Sequence, residues 1–264
     1  MDSHLLFQVP ATVIAVVFFL LILLVNWLGF RVWKTKVKKN PDEAKDGMGT
    51  MEGSLLGLMA LIMGFTFSLA ASKFETRRQV IVEEANDIGT AILRCDLYPD
   101  SVRNLFRLDF QKYLAARISY YDAGDNEVKI DAALMKASSH SDRIWRRAAS
   151  LSQNLDNRVR SAQMIPALNS MFDIVTTRDA ARIAKVPPII LWVLLMLTLI
   201  SGFLAGYNQK GKRKNIIMVV AFAAMTTITV YLIAELDRSR RGIINLDSAE
   251  KRIVDLRILF TENK

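Results

Sequence analysis

Four stretches of this chain contain no Asp, Glu, Lys or Arg: Val9 to Phe30, Gly53 to Ser72, Val186 to Tyr207 and Asn215 to Ala234. Each is about 20 residues long, which as a helix rising 1.5 Å per residue matches a hydrocarbon core of roughly 30 Å. In a chain of 264 residues with 23% charged side chains, that segregation predicts four membrane spans. The first stretch reads as a retained anchor. Met1 to Pro10 carries no Lys or Arg, the apolar run is too long for a signal peptide, and no small-residue cleavage site follows Leu24.

The spans pair as two hairpins, one over 1–72 and one over 186–234. Between them lies a soluble insert, 73–185, and a tail follows over 235–264. Lys73 to Leu93 continues the second span with Gly89 as its only Gly or Pro, so one long helix is expected there. Asp100 is a plausible N-cap after Pro99. Val102, Leu105, Phe106, Phe110, Tyr113 and Leu114 then recur at helical spacing. Gly124-Asp125-Asn126 marks a turn. Val128 to Leu151 and Arg158 to Ala184 read as two further helices, the second open to a kink at Pro166. Asp247 and Glu250 have capping-box spacing ahead of Ile253, Leu256 and Leu259. No run of alternating β-branched residues occurs, so the fold class is all-α.

Several functions are disfavoured. One Cys cannot form an internal disulfide, and with two His it argues against a zinc site of the usual ligands. There is no Gly-rich phosphate loop, no metal-ligand spacing and no carboxylate inside a span for a proton relay. The chain is therefore expected to be neither an enzyme nor the holder of a cofactor or metal. His140, in Ser138-Ser139-His140-Ser141-Asp142, sits among triad residue types, but sequence neighbours do not make a triad. That segment reads as an exposed polar helical turn. The net charge of +9 gathers at the span flanks, which gives no reason to propose nucleic acid.

The loops within the hairpins are basic. Arg31, Lys34, Lys36, Lys38, Lys39 and Lys45 outnumber the acids of the first, and the second holds Lys210, Lys212, Arg213 and Lys214 with no acid. Positive-inside counting places both loops in the cytoplasm, and the insert and both termini outside it. The expected location is a bacterial inner membrane.

The second span carries the most specific pattern. Gly53 and Gly57 form a GxxxG pair, and Gly64, Ser68 and Ser72 extend a small-residue stripe that lets helix backbones approach closely in lipid. That stripe is a packing face, either within one bundle or between subunits. On another face Met59, Met63 and Phe67 recur at steps of four, with Thr66 adjacent. As a ring from several subunits they would form a hydrophobic constriction that gates by dewetting; as a stripe alone they also read as ordinary core or lipid-facing surface. Arg77 and Arg78 follow at the span's end. They could draw anions to a pore mouth, bind lipid headgroups, or pair with Glu83 and Glu84. Glu75 is spaced to pair with Arg78. Thr226, Thr227 and Thr229 in the fourth span read as hydroxyls bonded to their own helix.

Gly64-Phe65-Thr66-Phe67-Ser68-Leu69-Ala70-Ala71-Ser72, running through Phe74-Glu75-Thr76-Arg77-Arg78 to Glu83-Glu84-Ala85-Asn86-Asp87-Ile88-Gly89-Thr90-Ala91, resembles the signature of the bacterial bestrophin-like membrane proteins. Leu236-Asp237-Arg238 with Arg241-Gly242 resembles the same family's motif after its last span. The resemblance implies an oligomeric anion channel of four spans per subunit, its pore lined by the second span and narrowed at an apolar neck. Met63 and Phe67 would be that neck, with Met59 one turn below. It also implies a cytoplasmic insert, opposite to the charge count. The dense acidic cluster of the animal calcium clasp is absent, so calcium gating is not expected.

The function expected is a homo-oligomeric channel in the lipid bilayer, passing chloride or another small anion. A different class of function, a non-conducting anchor whose helical insert senses or binds a partner, also fits the pattern of two hairpins around a soluble insert.

Overall fold

In a computed structural model the residues described are 10–39, 49–124, 126–208, 216–238 and 243–261. Parts of both basic loops, Asp125 of the expected turn and the Arg241-Gly242 motif fall outside them. All regular structure among the described residues is helical. Eight α-helices run in order: α1 Ala11–Lys39, α2 Gly49–Leu93, α3 Asp100–Asp122, α4 Glu127–Ser152, α5 Arg158–Ile183, α6 Pro188–Tyr207, α7 Ile216–Asp237 and α8 Asp247–Asp255. Short 3-10 turns occupy Arg94–Leu97, Leu155–Asn157 and Leu256–Phe260. Four helical segments, those holding α1, α2, α6 and α7, are long and apolar enough to cross a membrane.

The chain divides into two compact units. One comprises Met1–Phe74 with Lys185–Arg238, the other Glu75–Ala184 with Ser239–Lys264. In the first unit, α1 packs along α6 and α7. The α1–α6 contact is close because three glycines make it so. A Cβ on Gly206 would fall 2.0 Å from the backbone oxygen of Asn26, and one on Gly29 would fall 2.1 Å from that of Phe203. Gly202 faces Val25 and Ile22. Asn26, 1% exposed, donates from Nδ2 to the Gly202 carbonyl at 3.1 Å. Backbone approach plus an interhelical hydrogen bond is how helices associate in lipid, where apolar contact alone gives little preference. Phe18, Ile22 and Ala223 join α1 to α7. Pro187 and Pro188 open α6 as expected, Pro188 standing where a missing N–H costs least. The free Val186 N–H donates to Asp237 Oδ1 at 2.8 Å.

In the second unit, α3 packs on α4 and α4 on α5. Its core stacks Tyr98, Phe106 and Phe110, with ring centroids 5.3 and 6.4 Å apart; Ile130 packs with Tyr120, Ala123 and Ala133, and Ile144, Met164, Leu168 and Met171 are buried. Asn126 caps α4 by accepting from the Lys129 N–H at 3.0 Å, after Gly124 turns the chain at φ 55°. Two expectations are corrected at helix starts. Asp100 and Asp247 lie inside the first turns of α3 and α8. The N-cap positions belong to Pro99 and Leu246, with no side-chain cap, so the acids act through the helix dipole. The α5 helix is continuous through Pro166. Arg107 donates to Asp96 at 2.8 Å and to the Leu259 carbonyl at 2.7 Å, fastening the end of the tail.

Candidate functional site

The α2 helix begins at Gly49 and runs unbroken to Leu93, as its lack of Pro predicts. Its apolar stretch has two faces with opposite fates. Met59, Met63, Thr66 and Ala70 recur at steps of four, three and four and are buried at 6, 8, 2 and 0% exposure. Thr66 returns its hydroxyl to the Ile62 carbonyl at 2.7 Å. Gly53, Gly57, Gly64, Ser68 and Ser72 are exposed. A Cβ on any of those three glycines would meet no described atom within 4 Å. Among the described residues, nothing within this chain packs against the glycines of the small-residue stripe. The close-packing glycines are Gly29 on α1 and the Gly202–Gly206 pair of α6, itself a GxxxG spacing that sequence reasoning passed over.

The expected neck is divided by the same geometry. Phe67 is 39% exposed, on the flank of the open stripe, whereas Met59 and Met63 are turned into the chain. A ring about a shared axis needs side chains that leave the subunit. Met59 and Met63 do not meet that condition as the helix stands, and Phe67 does.

The paired arginines at the span's end also part company. Arg78 lies on the surface, its Nη2 2.8 Å from Glu75 Oε1, with Gln79 donating to the same oxygen at 3.1 Å. Arg77 is 3% exposed and donates from Nε and Nη2 to the carbonyls of Ala181 and Ala184, at 3.2 and 2.8 Å. It therefore caps the C-terminal end of α5, whose last carbonyls have no partner in the helix.

Beyond the apolar stretch, α2 carries a buried ion cluster absent from the expectations. Glu84, fully buried, accepts from Arg117 Nε at 2.5 Å, from Arg178 Nη1, and from the Tyr121 hydroxyl at 3.1 Å. Arg178 lies over the Tyr121 ring at 3.8 Å and Arg117 over Tyr120 at 4.7 Å. Burial by itself would raise the carboxyl of Glu84, but the two guanidinium groups outweigh it and hold it below its ordinary 4.5. A signal existed in the sequence. Glu84 falls on the apolar stripe of Val80, Ile81, Ile88 and Ile92, and Arg117 on that of Phe110, Tyr113, Leu114 and Tyr121. Glu83, off the stripe, is exposed.

His140 and Asp142 lie in a turn of α4, and Ser141 bonds the Ser138 carbonyl at 2.8 Å, a local helical contact. Among the described residues no group of three or more His, Cys, Asp or Glu is placed to hold a metal.

A model of the bestrophin-like domain matches residues 16–249. The chain belongs to the bestrophin-like family. No curated protein matches it. Its fold is similar to crystal structures of a bacterial bestrophin homolog from Klebsiella pneumoniae. A point-mutated form superimposes with a TM-score of 0.70 at 13% identity, covering 90% of this chain and 98% of that one. A structure phased by Zn-SAD gives 0.69 at 12% identity, covering 91% and 97%.

Proposed function

We propose that copies of this chain assemble in a bacterial inner membrane as an anion-selective channel whose pore is lined by α2. What carries this reading is the open face of α2 in a bestrophin-like chain. Gly53, Gly57, Gly64 and Ser68 stand exposed beside Phe67, leaving backbone free for a neighbouring helix and one aromatic for a constriction. One subunit's spans offer no charged path, so conduction requires assembly, and closed cyclic symmetry is the usual solution. Wetting at a ring of Phe67 side chains would limit permeation. Arg78, exposed at the end of the apolar stretch, would raise the local anion concentration. Met59 and Met63 are buried within the subunit, and Arg77 holds α5.

Chloride flux through the purified protein in liposomes tests this, against empty vesicles and against Phe67→Ala. Flux that rises in the variant is expected. No flux in either, at verified incorporation, would favour the anchored sensor or scaffold. Orientation rests on the loop charges, which put Asn126 outside the cytoplasm and Lys212 within it. If Asn126→Cys labels only after the inner membrane is opened, the orientation is reversed.

A further inference from the structure

The second unit contains a small, partly open pocket of about 20 Å³, lined by Arg77, Tyr120, Arg178, Arg182 and Glu250 among others. That volume holds about one water-sized particle. Three arginines and one glutamate border it, beside Ile81, Ala181 and Leu246, and more of its wall is apolar than polar. Each guanidinium is oriented by bonds made elsewhere. Arg77 is held by the α5 carbonyls, Arg178 by Glu84, and Arg182 by Asp179 and Glu127, both at 2.9 Å. The cationic groups are therefore fixed before anything enters.

Arg178 is the critical member. It is 5% exposed, yet its Nη2 stands 3.8 Å from Glu250 Oε1, outside hydrogen-bond reach. A guanidinium has five N–H donors and no acceptor, so a particle between Arg178 and the other arginines must accept. Guanidinium is also weakly hydrated, which lowers the cost of exchanging water for an anion. Among the described lining residues, Glu250 on α8 is the acid that would compete with such an anion.

We propose that this cavity binds one small inorganic anion of halide size, such as chloride, held by Arg178, Arg182 and Arg77 in competition with Glu250. The site stands whether or not the chain conducts, because its readouts are occupancy and stability rather than flux.

Bromide supplies the direct probe. Crystals of the full-length protein grown in bromide should show an anomalous peak between the three guanidinium groups. In parallel, melting of the detergent-solubilised protein is followed as chloride replaces gluconate at constant ionic strength. Chloride should raise the melting temperature. The half-effect concentration should rise about tenfold in Arg182→Gln, which removes one charge-assisted contact, and should fall several-fold in Glu250→Gln. Arg182 is partly exposed and paired with surface acids, so its loss should be tolerated. If Arg182→Gln does not fold, Glu250→Gln and the bromide map decide independently. Cavity density without bromide signal, or a chloride response equal in wild type and Glu250→Gln, would mean that water alone fills the cavity and would overturn the proposal.

Discussion

Arg117 Nε donates to Glu84 Oε1 at 2.5 Å with both side chains at 0% exposure, a contact joining α2 to α3 across 33 residues. Arg178 completes the cluster from α5. Such a cluster is costly to assemble and more costly to break, because a lone survivor is a buried charge without its counterion. Glu84→Gln strands two guanidinium groups, and we expect a loss of about 3–5 kcal/mol. Chemical denaturation monitored by circular dichroism would check it. A loss below about 1 kcal/mol would show that the buried charges are compensated elsewhere.

The same cluster sets an acid limit. The folded-state carboxyl of Glu84 titrates below its ordinary 4.5. Its contribution is therefore fully present above that value and is lost as pH falls through the lower, folded-state value. The stability gap between wild type and Glu84→Gln should be constant from neutrality to about pH 5 and narrow below about pH 4. A gap that widened on acidification would reverse the sign argued here.

Two glycines of the first unit with different surroundings should respond differently. Gly206→Ala drives a methyl into the Asn26 backbone, which cannot move aside as a side chain can. A loss of about 1–3 kcal/mol is expected, seen as a lower melting temperature in detergent. Gly57→Leu meets open space and should leave that melting temperature unchanged. If the α2 face joins subunits, it should instead shift the oligomer to smaller species in light scattering coupled to size exclusion.

Cys95 is fully buried, and burial pushes its thiol from 9.0 up to about 12. At neutral pH that leaves about a thousandfold less thiolate than an ordinary cysteine. Maleimide should label the native protein far more slowly than the denatured one, and single-cysteine variants should report without interference from Cys95. Fast native labelling would mean that the turn at Arg94–Leu97 opens readily.

The spans and the helices of the second unit were legible because they rest on local quantities: unbroken apolar length for α1, α6 and α7, absence of breakers for α2, and 3.6-residue recurrence for α3. The family was legible from the run beginning at Gly64. Which face of α2 points inward was not. Met59, Met63 and Phe67 share one spacing, yet Thr66 and Ala70 complete the buried row and Phe67 stands one position outside it. Periodicity finds a stripe without saying what covers it. The fate of Arg77 was hidden for a related reason, since the carbonyls it caps lie more than 100 residues away. The Glu84 cluster was the most readable omission. An acid on an otherwise apolar stripe asks for a buried partner, and Arg117 and Arg178 were both on such stripes.

Chains are made from the N-terminus, so Glu84 leaves the ribosome 33 residues before Arg117 and 94 before Arg178. For that interval the nascent chain holds a carboxylate destined for burial with its counterions still unmade, and collapse around it is unfavourable. Translation order thus imposes a wait. The second unit can close only when α5 is nearly complete, and a chain truncated before Arg178 would remain open to proteolysis.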